Sequence, residues 1–175
     1  MMHSSLKLLV GLIATVVFLI PNSANAQEEP PPTYVSSSIG IYSYQLPNSG
    51  ISPMLVIRGG FPVASVIVLE GSLLAARPEQ GGAPSTMLIP EAQFHLSLPF
   101  TGVTPYMGLG TGVALNLGEE QAGGAEASLT ISGAIGLRTW LTEQLGLNTE
   151  FRARGNGVDF SGTSAEFTVG VSWRR

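Results

Sequence analysis

Between Tyr34 and Arg174 the chain repeats one unit eight times: about ten residues that alternate apolar with small or polar side chains, then a turn or loop. A period of two sends successive side chains to opposite faces of an extended strand. No segment sustains the three-to-four-residue apolar spacing of a helix, so the chain is expected to be all-β. The strands are predicted at Tyr34–Tyr44, Ser52–Gly60, Ser65–Arg77, Thr86–Leu98, Val103–Leu117, Glu126–Trp140, Leu145–Arg154 and Thr163–Arg174. The alternation is clearest in the second half. Val103, Met107, Leu109, Val113, Leu115 and Leu117 share one face of the fifth segment, against Tyr106, Gly108, Gly110, Gly112, Ala114 and Asn116. In the sixth, Leu129, Ile131, Ile135 and Leu137 oppose Ser128, Thr130, Ser132, Ala134, Gly136 and Arg138. In the eighth, Phe167, Val169, Val171 and Trp173 oppose Glu166, Thr168, Gly170, Ser172 and Arg174.

The glycine- and serine-rich face is too small to be the outside of a sandwich built around large apolar groups. The inverse solution fits better. Apolar side chains face out into lipid, and small or polar ones crowd a narrow interior. Past Ile20 no apolar run is long and pure enough for a spanning helix. Entry into a membrane would therefore require a closed barrel, since only helices and closed barrels satisfy their own backbone in hydrocarbon. The connections support this. Residues 61–64, 99–102 and 141–144 are short turns, whereas 45–51, 78–85, 118–125 and 155–162 are longer and rich in Gly, Glu, Asn and Pro. Short turns on one side and longer loops on the other is the layout of transmembrane barrels, with the short turns periplasmic. The prediction is an eight-stranded antiparallel up-and-down barrel, closed by pairing of Thr163–Arg174 with Tyr34–Tyr44.

Ahead of this domain, residues 1–26 have the order of a secretory signal peptide. A basic start carries Lys7, an apolar run extends from Leu8 to Ile20, and Ala24-Asn25-Ala26 supplies the small residues of a cleavage site. Cleavage is expected after Ala26. The apolar run is short for an uncleaved membrane anchor, which is the competing reading. Gln27 follows the cut where a lipoprotein would carry cysteine. Residues 27–33, with three successive prolines, form an extended stub that cannot join a ladder, and the barrel domain spans 34–175. The chain has no cysteine, so neither disulfides nor a thiolate metal site hold it together. After residue 26 it carries seven arginines against twelve acidic residues, which argues against a nucleic-acid partner.

The run Val103-Thr104-Pro105-Tyr106-Met107-Gly108-Leu109-Gly110-Thr111-Gly112-Val113-Ala114 resembles the outer-membrane β-barrel domain family. So does Gly136-Leu137-Arg138-Thr139-Trp140-Leu141-Thr142-Glu143-Gln144-Leu145 leading into Asn148-Thr149-Glu150-Phe151-Arg152. That family includes the small OmpA-like, OmpX-like and opacity-type barrels, and the resemblance covers Tyr34–Arg175. It implies a cell outer-membrane location, contact with outer-membrane lipid and lipopolysaccharide, insertion by the barrel-assembly machinery, and a monomer. It is a resemblance of composition and turn placement, with no catalytic signature. Family members usually end on an aromatic residue; here Trp173 is followed by Arg174 and Arg175.

Parity places seven charged strand residues on the polar face: Arg58, Glu70, Glu91, Arg138, Glu150, Arg152 and Glu166. An eight-stranded interior is just wide enough for side chains to fill. Charges there must pair, so the expectation is a salt-bridge network that plugs the lumen; a narrow ion path along the same residues is the alternative. Arg138 is expected beside Glu150 or Glu91. The pair His95-x-Ser97 puts imidazole and hydroxyl on one side of a strand, where a carboxylate could complete a nucleophilic set. It is similar to the His-x-Ser pair of outer-membrane lipid A deacylases, although Leu98 stands where that motif carries asparagine. Gly108-Leu109-Gly110-Thr111-Gly112 lacks the helix that a nucleotide-binding loop requires, so these glycines relieve crowding. The acidic loop residues Glu119, Glu120, Glu126 and Asp159 match no calcium-loop spacing. No catalytic residues, cofactor or metal are expected. The leading expectation is an integral barrel with a structural or interaction role. A soluble lipocalin-like barrel holding an apolar ligand is the alternative; it requires Leu109, Leu129, Ile131 and Val169 to point inward. A lipid A-modifying enzyme is third.

Overall fold

The structure, a computed structural model, describes residues 32–44, 50–80, 83–98, 100, 102–117, 126–157 and 162–174. The signal segment, most of the proline stub and the acidic loop residues Glu119, Glu120 and Asp159 lie outside the described residues.

Eight strands form one closed antiparallel barrel. They are β1 (Tyr34–Tyr44), β2 (Ile51–Pro62), β3 (Ile67–Ala76), β4 (Thr86–Ser97), β5 (Val103–Leu117), β6 (Glu126–Trp140), β7 (Leu145–Asn156) and β8 (Gly162–Arg174). Each boundary lies within two residues of the segment predicted from the alternation. A two-residue ladder, Glu79–Gln80 with Ala83–Pro84, adds a small hairpin in the β3–β4 connection. Every strand pairs with its sequence neighbours, and β8 closes on β1 from Tyr34↔Arg174 to Tyr44↔Ser164. Closure leaves no edge of unpaired N–H and C=O groups, which in hydrocarbon would cost several kcal/mol each.

The turns are built to be tight. Gly102 takes a φ of 84° where the chain reverses into β5, a left-handed conformation that glycine alone adopts without strain. Its turn is clamped by reciprocal bonds between Phe100 and Val103, at 3.0 and 3.2 Å. At Val63–Val66 the amides of Val63 and Ala64 both donate to Ile67 O.

Strand twist and pleat then decide what faces where. Outward positions hold the large apolar residues, among them Ile39 at 70%, Leu109 at 70% and Phe94 at 63% exposure. Inward positions hold nearly all the buried polar ones, with Arg152, Glu70, Gln93, His95 and Thr168 at 1% or less. Leu109, Leu129, Ile131 and Val169 all face out. The one observation that would have favoured a soluble barrel with an apolar cavity therefore goes the other way.

Candidate functional site

The lumen holds the chemistry-bearing side chains, an ionic network and beside it an apolar cluster. An ionic network runs from Glu70 and Arg138 near the short turns to Arg154 and Glu166 near the loop-side ends of β7 and β8. All seven charged residues predicted for the lumen belong to it and are buried: Arg58, Glu70, Glu91, Arg138, Glu150, Arg152 and Glu166. An eighth, Arg154, was not foreseen. It shares the parity of Arg152 and is 2% exposed, so the four carboxylates face four guanidinium groups and not three.

Arg152 is the hub. It donates from Nη1 to Glu91 at 2.8 Å and from Nη2 to Glu150 at 2.7 Å, and its Nε lies 3.8 Å from Glu166. Arg154 donates to Glu166 at 2.8 Å and also bonds Glu91. Arg58 reaches across to Glu150 at 3.0 Å and to Ser38 at 2.7 Å. Two phenols finish the carboxylates: Tyr34 donates to Glu70 at 2.6 Å and Tyr106 to Glu150 at 2.9 Å. Arg138 departs from expectation. Its nearest carboxylate is Glu70, at 4.0 Å, and its guanidinium stacks 3.6 Å over the Tyr34 ring. Adjacent-strand logic pointed to Glu150 or Glu91, but the lumen is so narrow that a long arginine on β6 meets side chains of β1 and β3 on the opposite wall.

His95 belongs to the same network. Its Nε2 donates to Gln93 at 2.7 Å, its ring stacks on Tyr106 with centroids 4.9 Å apart, and its Nδ1 makes no hydrogen bond. Gln93 passes the chain of bonds on to Ser132, at 2.9 Å, and to Glu91. The imidazole therefore makes no hydrogen bond to Ser97, the contact a His–Ser nucleophile needs. Ligand atoms of Glu70, His95 and Glu150 lie within 4.8 Å of one another. A divalent cation there would have to displace guanidinium groups: Arg58 and Arg152 already hold Glu150, and Arg58 Nε is 3.6 Å from Glu70. The donor set suits an internal ion-pair network and not a metal.

The glycines of β5 make room for this. A Cβ on Gly110 would stand 2.8 Å from Glu91 Oε1 and 3.0 Å from the Ala92 carbonyl oxygen, and would run into Gln93. The Gly110→Val variant should therefore lose about 1–3 kcal/mol to overpacking. The check is its urea-unfolding midpoint in detergent or lipid.

Toward the longer loops one side of the lumen is apolar, which was not read from the sequence. Tyr42, Met54, Val56, Leu74, Ala76, Ile89 and Ala114 pack together inside the barrel, with Met87 against them. All come from β1 to β5, so one half of the loop-side lumen is apolar. The other half carries Thr130, Arg154 and Ser164.

Known structures bear on the fold. Neisserial surface protein A is similar with a TM-score of 0.70 and 13% identity, over 82% of this chain and 97% of that one. Ail, the attachment invasion locus protein of Yersinia pestis, gives 0.56 and 13%, over 83% and 100%. The N-terminal barrel domain of Pseudomonas aeruginosa OprF gives 0.55 and 15%, over 80% and 97%. No protein-family model matches the chain, and no curated protein matches it by sequence. At these identities the likeness is one of fold: a small, eight-stranded barrel of the outer-membrane kind.

Proposed function

We propose that this chain is an integral outer-membrane barrel with a structural or interaction role, which crosses the bilayer once as a closed cylinder and presents its longer loops outside. The observation that carries this is the inverted distribution of side chains. Leu109, Ile135, Phe151 and Val169 stand exposed on the wall, while Arg58, Glu70, Glu150 and Arg152 are buried within it. In water that arrangement is unfavourable on both counts, because apolar area stays wet and ions are desolvated. In a bilayer the first cost vanishes and the second is contained by pairing. Among the described residues no helix is long and apolar enough to cross a membrane, so crossing falls to the strands.

The same reading sets the remaining details. The short turns take the periplasmic side, export depends on the segment cleaved after Ala26, insertion uses the barrel-assembly machinery, and the barrel works as a monomer surrounded by lipid and lipopolysaccharide. The paired lumen serves as a plug and not as a conduit. Membrane fractionation of an expressing Gram-negative cell tests the reading directly. The mature chain should be recovered in the outer-membrane fraction and should migrate differently on a gel before and after boiling. Recovery in the soluble periplasm would overturn it. The same cells test the absence of catalysis: Ser97→Ala should leave the acyl-chain profile of lipid A unchanged from the parent. A profile that changes with this single substitution would establish the enzymatic reading instead.

A further inference from the structure

The three short turns carry an unusual set of tips. Val63, Phe100 and Leu141 are each large, apolar and about three-fifths exposed, at 57%, 61% and 57%. Turns normally present polar residues to water. Here the only charge within residues 63–66, 98–102 and 141–144 is Glu143, whereas the longer loops hold Arg77, Glu79, Glu119, Glu120 and Asp159. The tips also continue the apolar wall: Val63 follows Phe61, at 58%, and Phe100 is bridged to Val103, at 39%.

A second, independent observation concerns the backbone. Groups at these turns are satisfied internally. Val63 and Ala64 donate to Ile67 O, Leu141 and Thr142 donate to Leu145 O, and Ile67 donates to Ala64 O. Thr142 Oγ1 accepts from the amides of Gln144 and Leu145, at 3.2 and 2.9 Å. Gln144 O and Val66 O in turn accept from Arg174 and Ser97 on the neighbouring strands. Tight turns close such bonds in water as well, but a turn held in a medium poor in hydrogen-bond partners requires them. Beside it Arg174 lies 4.0 Å over the ring of Trp140, a pairing of cation and amphipathic ring suited to the headgroup level.

We propose that the short-turn end is a lipid-binding surface, seated in the headgroup–acyl boundary of the phospholipid leaflet that faces the periplasm, so that Val63, Phe100 and Leu141 act as three anchors and do not project into water. This rests on the membrane reading above, and the test separates the two. The chain has no cysteine, so single-cysteine variants at positions 63, 100 and 141 can each take one polarity-sensitive fluorophore, with Leu109→Cys as a mid-wall reference. The variants are folded into phosphatidylcholine vesicles carrying bromine either near the headgroup or deep in the acyl chain. Turn probes should shift to the blue, lose emission to the shallow bromines more than to the deep ones, and be shielded from aqueous iodide; the reference should respond most to deep bromines. Turn probes that iodide quenches and bromolipid does not, with the reference still quenched by lipid, overturn the anchor proposal and leave the membrane barrel standing. Turn probes quenched most by deep bromines overturn it as well. A reference that no bromolipid quenches overturns both.

Discussion

Replacing Arg152 by methionine should cost roughly 3–5 kcal/mol of folding stability, the loss typical when one partner of a buried ion pair is removed and the other remains charged. Methionine keeps most of the volume, so the loss isolates charge from packing. The size follows from the position of the guanidinium. It donates to both Glu91 and Glu150 and lies within 4.0 Å of Glu70 and Glu166. Without it, three guanidinium groups remain for four carboxylates in a closed lumen. The measurement is urea unfolding in lipid, followed by the difference in gel mobility between folded and unfolded barrel. Adding Glu150→Gln to the same chain should recover part of the loss, since it removes the carboxylate left with one arginine fewer. A double variant no more stable than Arg152→Met alone would mean that the cost was packing and that the ion pairs are incidental.

Why the lumen could be read in part follows from the same residues. Seven of its charges were legible because a charged side chain in an otherwise apolar alternation marks the inward face by parity. Arg154 obeys that parity too, but it sits near the end of β7, where a charge reads equally well as the start of a solvated loop. The partner of Arg138 was not legible: alternation gives facing and neighbours, whereas contact across a narrow lumen depends on strand tilt and on how far a guanidinium can reach. The apolar cluster was hidden for a different reason. In β2 the run Met54-Leu55-Val56-Ile57 is apolar on both faces, since Met54 and Val56 fill the lumen while Leu55 and Ile57 face out. In β3, Leu73 and Leu74 repeat the pattern. The alternation is therefore sharp in β5, β6 and β8, whose inward positions are mostly small or polar, and blurred in β2 and β3. The blur was itself the signal of an apolar lumen lining on that side.

The wall, and not the lumen, decides the medium, and one pair of substitutions on a single strand reads it out. Leu109 and Leu117 both face outward on β5, at 70% and 43% exposure, eight residues apart. Along a tilted strand that separation corresponds to about 20 Å of depth, more than half the height of the apolar band of such barrels. In a bilayer Leu109 would fall near the middle, and Leu117 would lie beyond the loop-side rim of the band. Leu109→Arg should therefore cost roughly 2–4 kcal/mol, and Leu117→Arg no more than about 1 kcal/mol. The register shows no alternative refuge for the new charge. Leu109 is flanked across the wall by Phe94 on β4 and Gly133 on β6, so its cross-strand partners offer neither a carboxylate nor a hydroxyl, and the Thr111 hydroxyl on its own strand already donates to Thr130 O. An arginine there must stay in hydrocarbon or distort the bilayer to reach water. In a soluble barrel the ranking disappears, because arginine at either exposed position would be hydrated and nearly neutral. The comparison is the free energy of folding of each variant in vesicles, set against the parent under the same conditions. Equal and small effects at both positions would place this wall in water, whatever the fold resembles. A large loss confined to Leu109→Arg is the depth profile that only a bilayer imposes.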